Sequence, residues 1–335
     1  MTDSIPAHFR AFRIFDNEDG HLAAIVDQTI EDQSEGDVVI RVSYSSVNYK
    51  DALAGTGKGK ILRTFPLNGG IDVAGTVVQS MSPDFSVGDA VLMTGCGLSE
   101  TRDGGYSEFL RVPSEWLVAL PAGLSAEEAM VLGTAGFTAA LALYRMEALG
   151  QRPDMGPVCI TGASGGVGSL AVDIFSAAGY EVTAITGKLD EFDWLHSLGA
   201  SQCIARQDLH WPETPMSSAQ FAGALDTVGG DMLSGLTRVI KPWGTIAACG
   251  MVGGIAVQTT VMPFIIRGIG LVGINSAGCA LALRKTVWER LANEWKPRYL
   301  DRIIQPGIGL DDLPAAFQTL LDGKGKGRIP VHIGT

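Results

Sequence analysis

The sequence predicts an α/β protein in two parts: a doubly wound parallel sheet and a smaller, partly open β-barrel. Three observations carry that reading. A chain of 335 residues is longer than one ordinary compact core. Its first 120 residues read as short strands punctuated by glycine and polar turns. From about residue 157, short apolar strands alternate with helical runs, the pattern of a parallel sheet covered on both faces.

Along the chain, Gly36-Asp37 opens the strand candidate Val38 to Val42, and Gly88-Asp89 opens Ala90 to Met93. Gly75 to Val78 and Tyr106 to Leu110 are two more, and closely spaced strands of this kind close into a barrel. Pro121-Ala122-Gly123 ends the region. Ser125, with Glu128 three residues on, has the form of a capped helix start. The second part begins with the apolar strand Val158 to Thr161, a glycine turn, and a helix from Val167 to Ala178. A strand at Glu181 to Ile185 and a helix at Asp190 to Leu198 follow. Further strands are expected at Gln202 to Ala205, Ala222 to Asp226, Thr245 to Cys249 and Leu271 to Ile274. Six such strands suit a dinucleotide-binding (Rossmann) domain. A helix over Ala280 to Glu294 leads to a tail, Arg328 to Ile333, too short to fold alone and expected to complete the barrel. The predicted domains are 1–130 with 275–335, and 131–274.

Composition excludes several classes. A net charge of −11 argues against nucleic acid, whose phosphates require a surplus of Lys and Arg. Residues Met1 to Arg13 lack the apolar core of a signal peptide, and no stretch reaches the ~20 uninterrupted apolar residues of a membrane span. Five scattered Cys (96, 159, 203, 249 and 279) read as free thiols in a reducing compartment. A cytoplasmic protein is expected.

Thr161-Gly162-Ala163-Ser164-Gly165-Gly166-Val167-Gly168 stands between a strand and a helix, the context that gives a glycine-rich turn its meaning. Gly165 would let the backbone approach a pyrophosphate, and Gly168 would allow close helix–sheet packing. The helix N-terminus supplies free N–H groups and a favourable dipole. About 20 residues on, where an NAD site usually places an acid for the ribose 2′-hydroxyl, stand Thr186-Gly187-Lys188. A hydroxyl, an open backbone and an ammonium, with Arg206 after the third strand, suit a 2′-phosphate. NADPH is the expected cofactor.

A zinc site needs clustered Cys or His. Gly70 to Cys96 holds one Cys and no His, and the five His (8, 21, 196, 210 and 332) lack ligand spacing, so no metal is expected. Without a Lewis acid, simple alcohol oxidation loses its usual mechanism, and hydride transfer to an electron-poor double bond becomes the natural chemistry.

The runs Val47-Asn48-Tyr49-Lys50-Asp51-Ala52-Leu53, Thr56-Gly57-Lys58-Gly59-Lys60, Phe65-Pro66 and Gly70 to Val77 resemble the quinone-oxidoreductase branch of the zinc-free medium-chain dehydrogenase/reductases. More narrowly, they are similar to its acrylyl-CoA reductase (YhdH/AcuI) group. Thr161 to Gly168, Ser197 to Ser201, Asp226 to Gly229 and Thr260 to Phe264 extend the likeness over nearly the whole chain, whereas Lys324 to Arg328 differ from the family pattern. The resemblance implies a GroES-like barrel beside the Rossmann domain, NADPH-dependent reduction of acrylyl-CoA to propanoyl-CoA, and a homodimer. By motif matching it places Tyr49 beside the cofactor and Gly165, Gly166, Val167 and Gly168 on the pyrophosphate. Thr186, Gly187, Lys188 and Arg206 fall on the adenosine phosphate, and Met251, Ile265 and Ser276 at the nicotinamide end.

In such a reaction the hydride reaches the beta carbon, and donors aimed at the carbonyl oxygen stabilise the developing charge. Tyr49 is the one phenol in the signature segment and can donate a proton. It either supplies the proton or packs on the nicotinamide while water does so. Asn48, the second candidate catalytic residue, and Asp51 flank it and either orient it or cap a helix. Asp72 is explained equally by a turn. Lys58, Lys60 and Arg63 form a basic group that is either a solvated loop or a grip for CoA phosphates. Two other functions stay open: a quinone or enone reductase, and an NADPH-binding sensor without turnover.

Overall fold

The computed structural model describes residues 5–334 apart from Asp19. Met1 to Ser4, part of the segment read for a signal peptide, lie outside the described residues. The chain forms two units: 1–134 with 277–292 and 304–335, and 135–276 with 293–303.

The first unit opens with a hairpin the sequence does not single out, β1 (Phe9–Asn17) and β2 (Gly20–Gln28). β3 (Val38–Ser46) leads to the short helix α1 (Tyr49–Gly55), then β4 (Leu67–Asn68), β5 (Asp72–Ser80), β6 (Ala90–Thr94), β7 (Phe109–Val112) and β8 (Val118–Ala119). β1 pairs with β2 and β4. β3, β5, β6 and β8 are antiparallel neighbours, and β7 pairs with the other side of β3. The expected strand at Tyr106 to Leu110 is displaced toward the C-terminus, because Tyr106 is held in a turn against Gly69 and Gly70. Inward residues of β3, β5, β6 and β7 (Val38, Ile40, Val42, Val73, Val77, Val91, Met93, Leu110 and Val112) make the barrel core, one face of each strand going dry as the two-residue period requires.

α2 (Ala126–Ala148) starts at the capping box read from sequence: Ser125 N–H donates to Glu128 at 2.8 Å, and Glu128 N–H donates back to Ser125 Oγ at 3.1 Å. Gly133 (φ 49°, ψ −153°) breaks the helix, and the chain leaves the first unit one residue later. Among the described residues α2 is the one helix long and apolar enough to cross a membrane, but most of its apolar stretch is buried in the protein, as in a core helix.

The second unit runs β9 (Val158–Thr161), α3 (Gly166–Ala177), β10 (Val182–Thr186), α4 (Phe192–Ser197), β11 (Gln202–Ala205), β12 (Phe221–Asp226), α5 (Gly230–Val239), β13 (Ile240–Ala248), α6 (Met262–Ile266) and β14 (Gly270–Gly273). All five pairings are parallel, in the order β11-β10-β9-β12-β13-β14. Counted within the unit this is 3-2-1-4-5-6, the Rossmann order, so the topological switch point lies between β9 and β12.

After α7 (Leu281–Ala292), residues 293–303, with α8 (Leu300–Ile303), pack with the second unit rather than with the barrel to which the sequence reading assigns them. The reason is polar: Tyr299 N–H donates to buried Asp173 on α3 at 2.8 Å, and Arg302 donates to the Ser197 carbonyl at 2.9 Å. α9 (Leu313–Leu321) then packs on α1. β15 (Pro330–His332) pairs with β3, so the tail completes the first unit's sheet.

Candidate functional site

In the second unit the glycine turn joins the C-terminal end of β9 to the N-terminus of α3, with Gly165 as N-cap and Gly166 as first helical residue. Its glycines do different things. Gly162 has φ 57°, a left-handed geometry that favours glycine. A Cβ on Gly168 would run into the Gly162 carbonyl and lie 2.7 Å from Ala163 Cα, so the helix can approach the strand only with glycine there. Gly165 is open by comparison: a Cβ there would meet nothing closer than the Gly162 oxygen at 3.3 Å. That gap beside free helix N–H groups is the space a pyrophosphate needs.

A buried carboxylate fixes this turn to its neighbour. Asp226, ending β12, accepts from Thr161 Oγ1 at 2.7 Å and from Gly229 N–H at 2.7 Å. Thr227 closes the loop, its N–H donating to Thr161 Oγ1 at 2.9 Å and its Oγ1 to the Thr161 carbonyl at 2.8 Å. Burial pushes the Asp226 carboxyl above the usual range against the pull of those hydrogen bonds. The two loops flanking the switch point are thus tied by an acid that pattern reading leaves unused. Its signal was an aspartate ending an otherwise apolar strand.

At the tip of β10, Thr186 is buried, and its Oγ1 shares a 2.9 Å hydrogen bond with Ser164 Oγ and accepts Lys188 N–H at 3.2 Å. Its hydroxyl therefore holds the glycine turn to the strand tip. Gly187 is exposed, and a Cβ there would lie 3.1 Å from the Arg206 guanidinium. Lys188 and Arg206, at the ends of adjacent strands, bring two cations to the edge of this cradle. Of the expected nicotinamide-end residues, Met251 is 68% exposed after β13 and Ile265 is 76% exposed on α6. Ser276 accepts a 2.8 Å hydrogen bond from Thr138.

In the first unit the signature segment divides by burial. Tyr49, the first residue of α1, is 43% exposed, whereas Asn48 and Asp51 are buried. The Asn48 amide points inward, donating to Asp72 at 2.8 Å and Asp51 at 3.1 Å, while its oxygen accepts from Arg328 at 3.1 Å. Asp72, fully buried, also accepts from Ser46 Oγ at 2.7 Å and from Thr134 through Oγ1 at 2.6 Å and N–H at 3.0 Å. Arg328 donates to the Val131 carbonyl at 2.9 Å, the Val47 carbonyl at 3.0 Å and Ser46 Oγ at 2.8 Å. Guanidinium and carboxylate so serve the two sides of the break at Gly133: the cation meets a carbonyl ending one turn, the anion an amide starting the next. No sequence pattern announces Arg328, which converges on 46–51, 72 and 131–134 from the far end of the chain.

The basic group is less free than its composition suggests. Glu100 is shared by Lys50 at 2.5 Å and Arg63 at 3.0 Å, and Lys58 lies 3.4 Å from Gln318 Oε1. Among the described residues no group of three or more His, Cys, Asp or Glu is placed to hold a metal ion. The five Cys are free thiols, and burial pushes Cys249 up to about 12 and Cys203 up to about 11.

Residues 34–122 match the alcohol dehydrogenase GroES-like domain family, and 166–293 match the family described as zinc-binding dehydrogenase. The chain is 44% identical to YhfP of Bacillus subtilis, provisionally named a quinone oxidoreductase, over 97% of this chain and 99% of that one. A crystal structure of YhfP with NAD bound superimposes with a TM-score of 0.94 at 43% identity, covering 98% of this chain and all of that one. Acrylyl-CoA reductase AcuI of Ruegeria pomeroyi is 42% identical over 95% of this chain and 97% of its own. The yhdH oxidoreductase of Salmonella enterica, solved in complex with NADP, gives a TM-score of 0.94 at 42% identity over 97% of this chain and all of that one.

Proposed function

Since the chain belongs to the zinc-free medium-chain dehydrogenase/reductase superfamily, on its YhdH/AcuI-like quinone-oxidoreductase branch, we propose that it is an NADPH-dependent reductase of carbon–carbon double bonds conjugated to a carbonyl. The observation that carries the cofactor choice is the cationic pair Lys188 and Arg206 beside exposed Gly187, where an NAD site would place an acid. The open space at Gly165 fits the pyrophosphate. When bound, NADPH supplies the hydride. The chain's own part is to hold the phosphates on the turn at 162–168, to fix that turn through Asp226, and to offer a phenol, Tyr49, as proton donor or carbonyl partner.

Two acceptor classes fit this chemistry. The AcuI likeness favours acrylyl-CoA, giving propanoyl-CoA. The engagement of Arg63 and Lys50 with Glu100 favours small enones or quinones, because it weakens the case for a CoA-phosphate grip at Lys58, Lys60 and Arg63. NADPH oxidation measured in parallel with acrylyl-CoA, crotonyl-CoA, a simple enone and a benzoquinone decides between them. A steep salt dependence of KM confined to the CoA esters identifies the first class. NADH turnover equal to NADPH turnover would sink the cofactor reading, and inertness toward all four acceptors leaves a binding protein without turnover. A homodimer is proposed on the same basis, supported by the unpaired edge of β14 and the exposed Ile265, Ile266 and Leu271. Light scattering of the intact protein tests it.

A further inference from the structure

We infer that Asp51 holds its proton up to about neutral pH and, in that form, is the positioning residue for Tyr49. The second half of this statement rests on the role proposed for Tyr49; the first does not.

The charge count under α1 comes first. Asp51, Asp72 and Arg328 are all buried, two carboxyls facing one guanidinium. Asp72 takes the polar wealth of the site: Ser46, Asn48, both donors of Thr134, and Arg328 at 3.8 Å. Asp51 receives neutral donors alone, Asn48 N–H at 2.9 Å, Asn48 Nδ2 at 3.1 Å and Ile71 N–H at 3.0 Å. An anion at Asp51 leaves the cluster with one uncompensated negative charge in a dry interior, which costs more than binding one proton. Among the described residues no other ionisable group packed on this cluster repairs the balance. β5 brings Asp72, the turn before β7 brings Tyr106, the segment before β15 brings Arg328, and α9 carries no titratable side chain.

The site also has a place for the proton. Tyr106 is fully buried against Asp51, and its hydroxyl donates to the Ser46 carbonyl at 3.0 Å. A phenol that donates once still accepts, so a protonated Asp51 can donate to the Tyr106 oxygen while keeping its backbone acceptor bonds. Burial, with the two nearby carboxylates, raises Tyr106 well above the ordinary phenol value, so it does not ionise in Asp51's place. Burial and the Asp72 charge push Asp51 itself up to about 7.

The link to Tyr49 is the cap. Asp51 accepts the Asn48 N–H, closing the turn whose first residue is Tyr49. Ionising Asp51 puts an unpaired charge inside that turn and selects rearrangements that hydrate it. A reductase that depends on protonated Asp51 loses its chemical step near 7.

The test measures two quantities on the intact protein: Tm from pH 4.5 to 8.5, and the single-turnover rate with NADPH from pH 5.5 to 9. An aspartate in the unfolded chain releases its proton near ~3.9. Between that value and about 7 the folded chain holds the extra proton, so stability falls as pH rises through this window and levels off above it. The expected wild-type result is a Tm decline across the window and a rate that falls at least about threefold with a midpoint near 7. Asp51→Asn should make that Tm decline markedly shallower, the remainder belonging to the other raised carboxyls, Asp173 and Asp226. Should Asp51→Asn fail to fold, Tyr106→Phe keeps the ring and deletes the proton's acceptor, and both midpoints should move to lower pH. Parallel Tm profiles for wild type and Asp51→Asn, or midpoints unmoved by Tyr106→Phe, overturn the proton. A Tm response with a rate flat through pH 7 overturns the positioning role. Absence of turnover with every acceptor rejects the proposed function, and the positioning role with it, while the Tm comparison still decides the proton.

Discussion

The two units build polar sites in opposite ways. In the nucleotide-binding unit the cradle is made of backbone, a turn of eight consecutive residues whose glycines clear space and whose helix supplies N–H groups; side chains such as Asp226 and Thr186 serve as ties behind it. In the barrel unit the buried cluster is made of side chains drawn from residues 46–51, 72, 106, 134 and 328, and the backbone is what they hold in place. A backbone cradle fails by steric intrusion at one position. A side-chain cluster fails electrostatically, at whichever member is removed.

The largest effect should come from the cluster. Arg328→Met leaves Asp72 buried without its cation and strips donors from the Val131 and Val47 carbonyls, so a loss of about 3–5 kcal/mol is expected by chemical denaturation. A loss under about 1 kcal/mol would mean that the cluster does not act as one unit.

The turn offers a sharper contrast within itself. Gly168→Ala forces a methyl into the Gly162–Ala163 backbone and should cost about 1–3 kcal/mol of stability. Gly165→Ala meets one oxygen at 3.3 Å; it should fold with nearly wild-type Tm yet bind NADPH at least about tenfold more weakly, because its methyl takes the space left for the pyrophosphate. Equal Tm losses for the two variants would erase the distinction between a packing glycine and an access glycine.

The same difference governs what the sequence discloses. The Rossmann half is legible almost strand by strand: the fully buried Val158–Thr161 falls where expected because a doubly covered parallel strand must be an uninterrupted apolar run, and the less buried edge strand Gln202–Ala205 falls where expected too. The glycine turn between β9 and α3 is legible because it is contiguous. The hairpin of β1 and β2 is not singled out, since much of β2 faces solvent and carries no clean two-residue alternation. Arg328 is invisible for a deeper reason: its partners lie up to 282 residues away, and only folding brings them together. Thr186 shows a third limit: it ends β10, but its hydroxyl is spent on Ser164 and the Lys188 amide.

The smallest expected effect concerns the cations at the rim of the cradle, and it tests whether side chains there do more than tie the backbone. Arg206 is exposed and Lys188 half-buried, so solvent screens both and neither should matter to folding: Lys188→Ala and Arg206→Ala should change stability by less than about 0.5 kcal/mol. Toward a 2′-phosphate each is one charge-assisted contact, worth about 1.5 kcal/mol, which predicts roughly a tenfold loss of NADPH affinity per variant and almost none for NADH. The ratio of the two dissociation constants is therefore the quantity to measure, by titration of the intact protein at low and at 0.3 M salt. Salt should narrow the wild-type ratio and leave the double variant's nearly unchanged. An equal loss for both cofactors would place Lys188 and Arg206 on the shared pyrophosphate instead, and the selection of the phosphorylated nucleotide would then have to come from the backbone at Gly187.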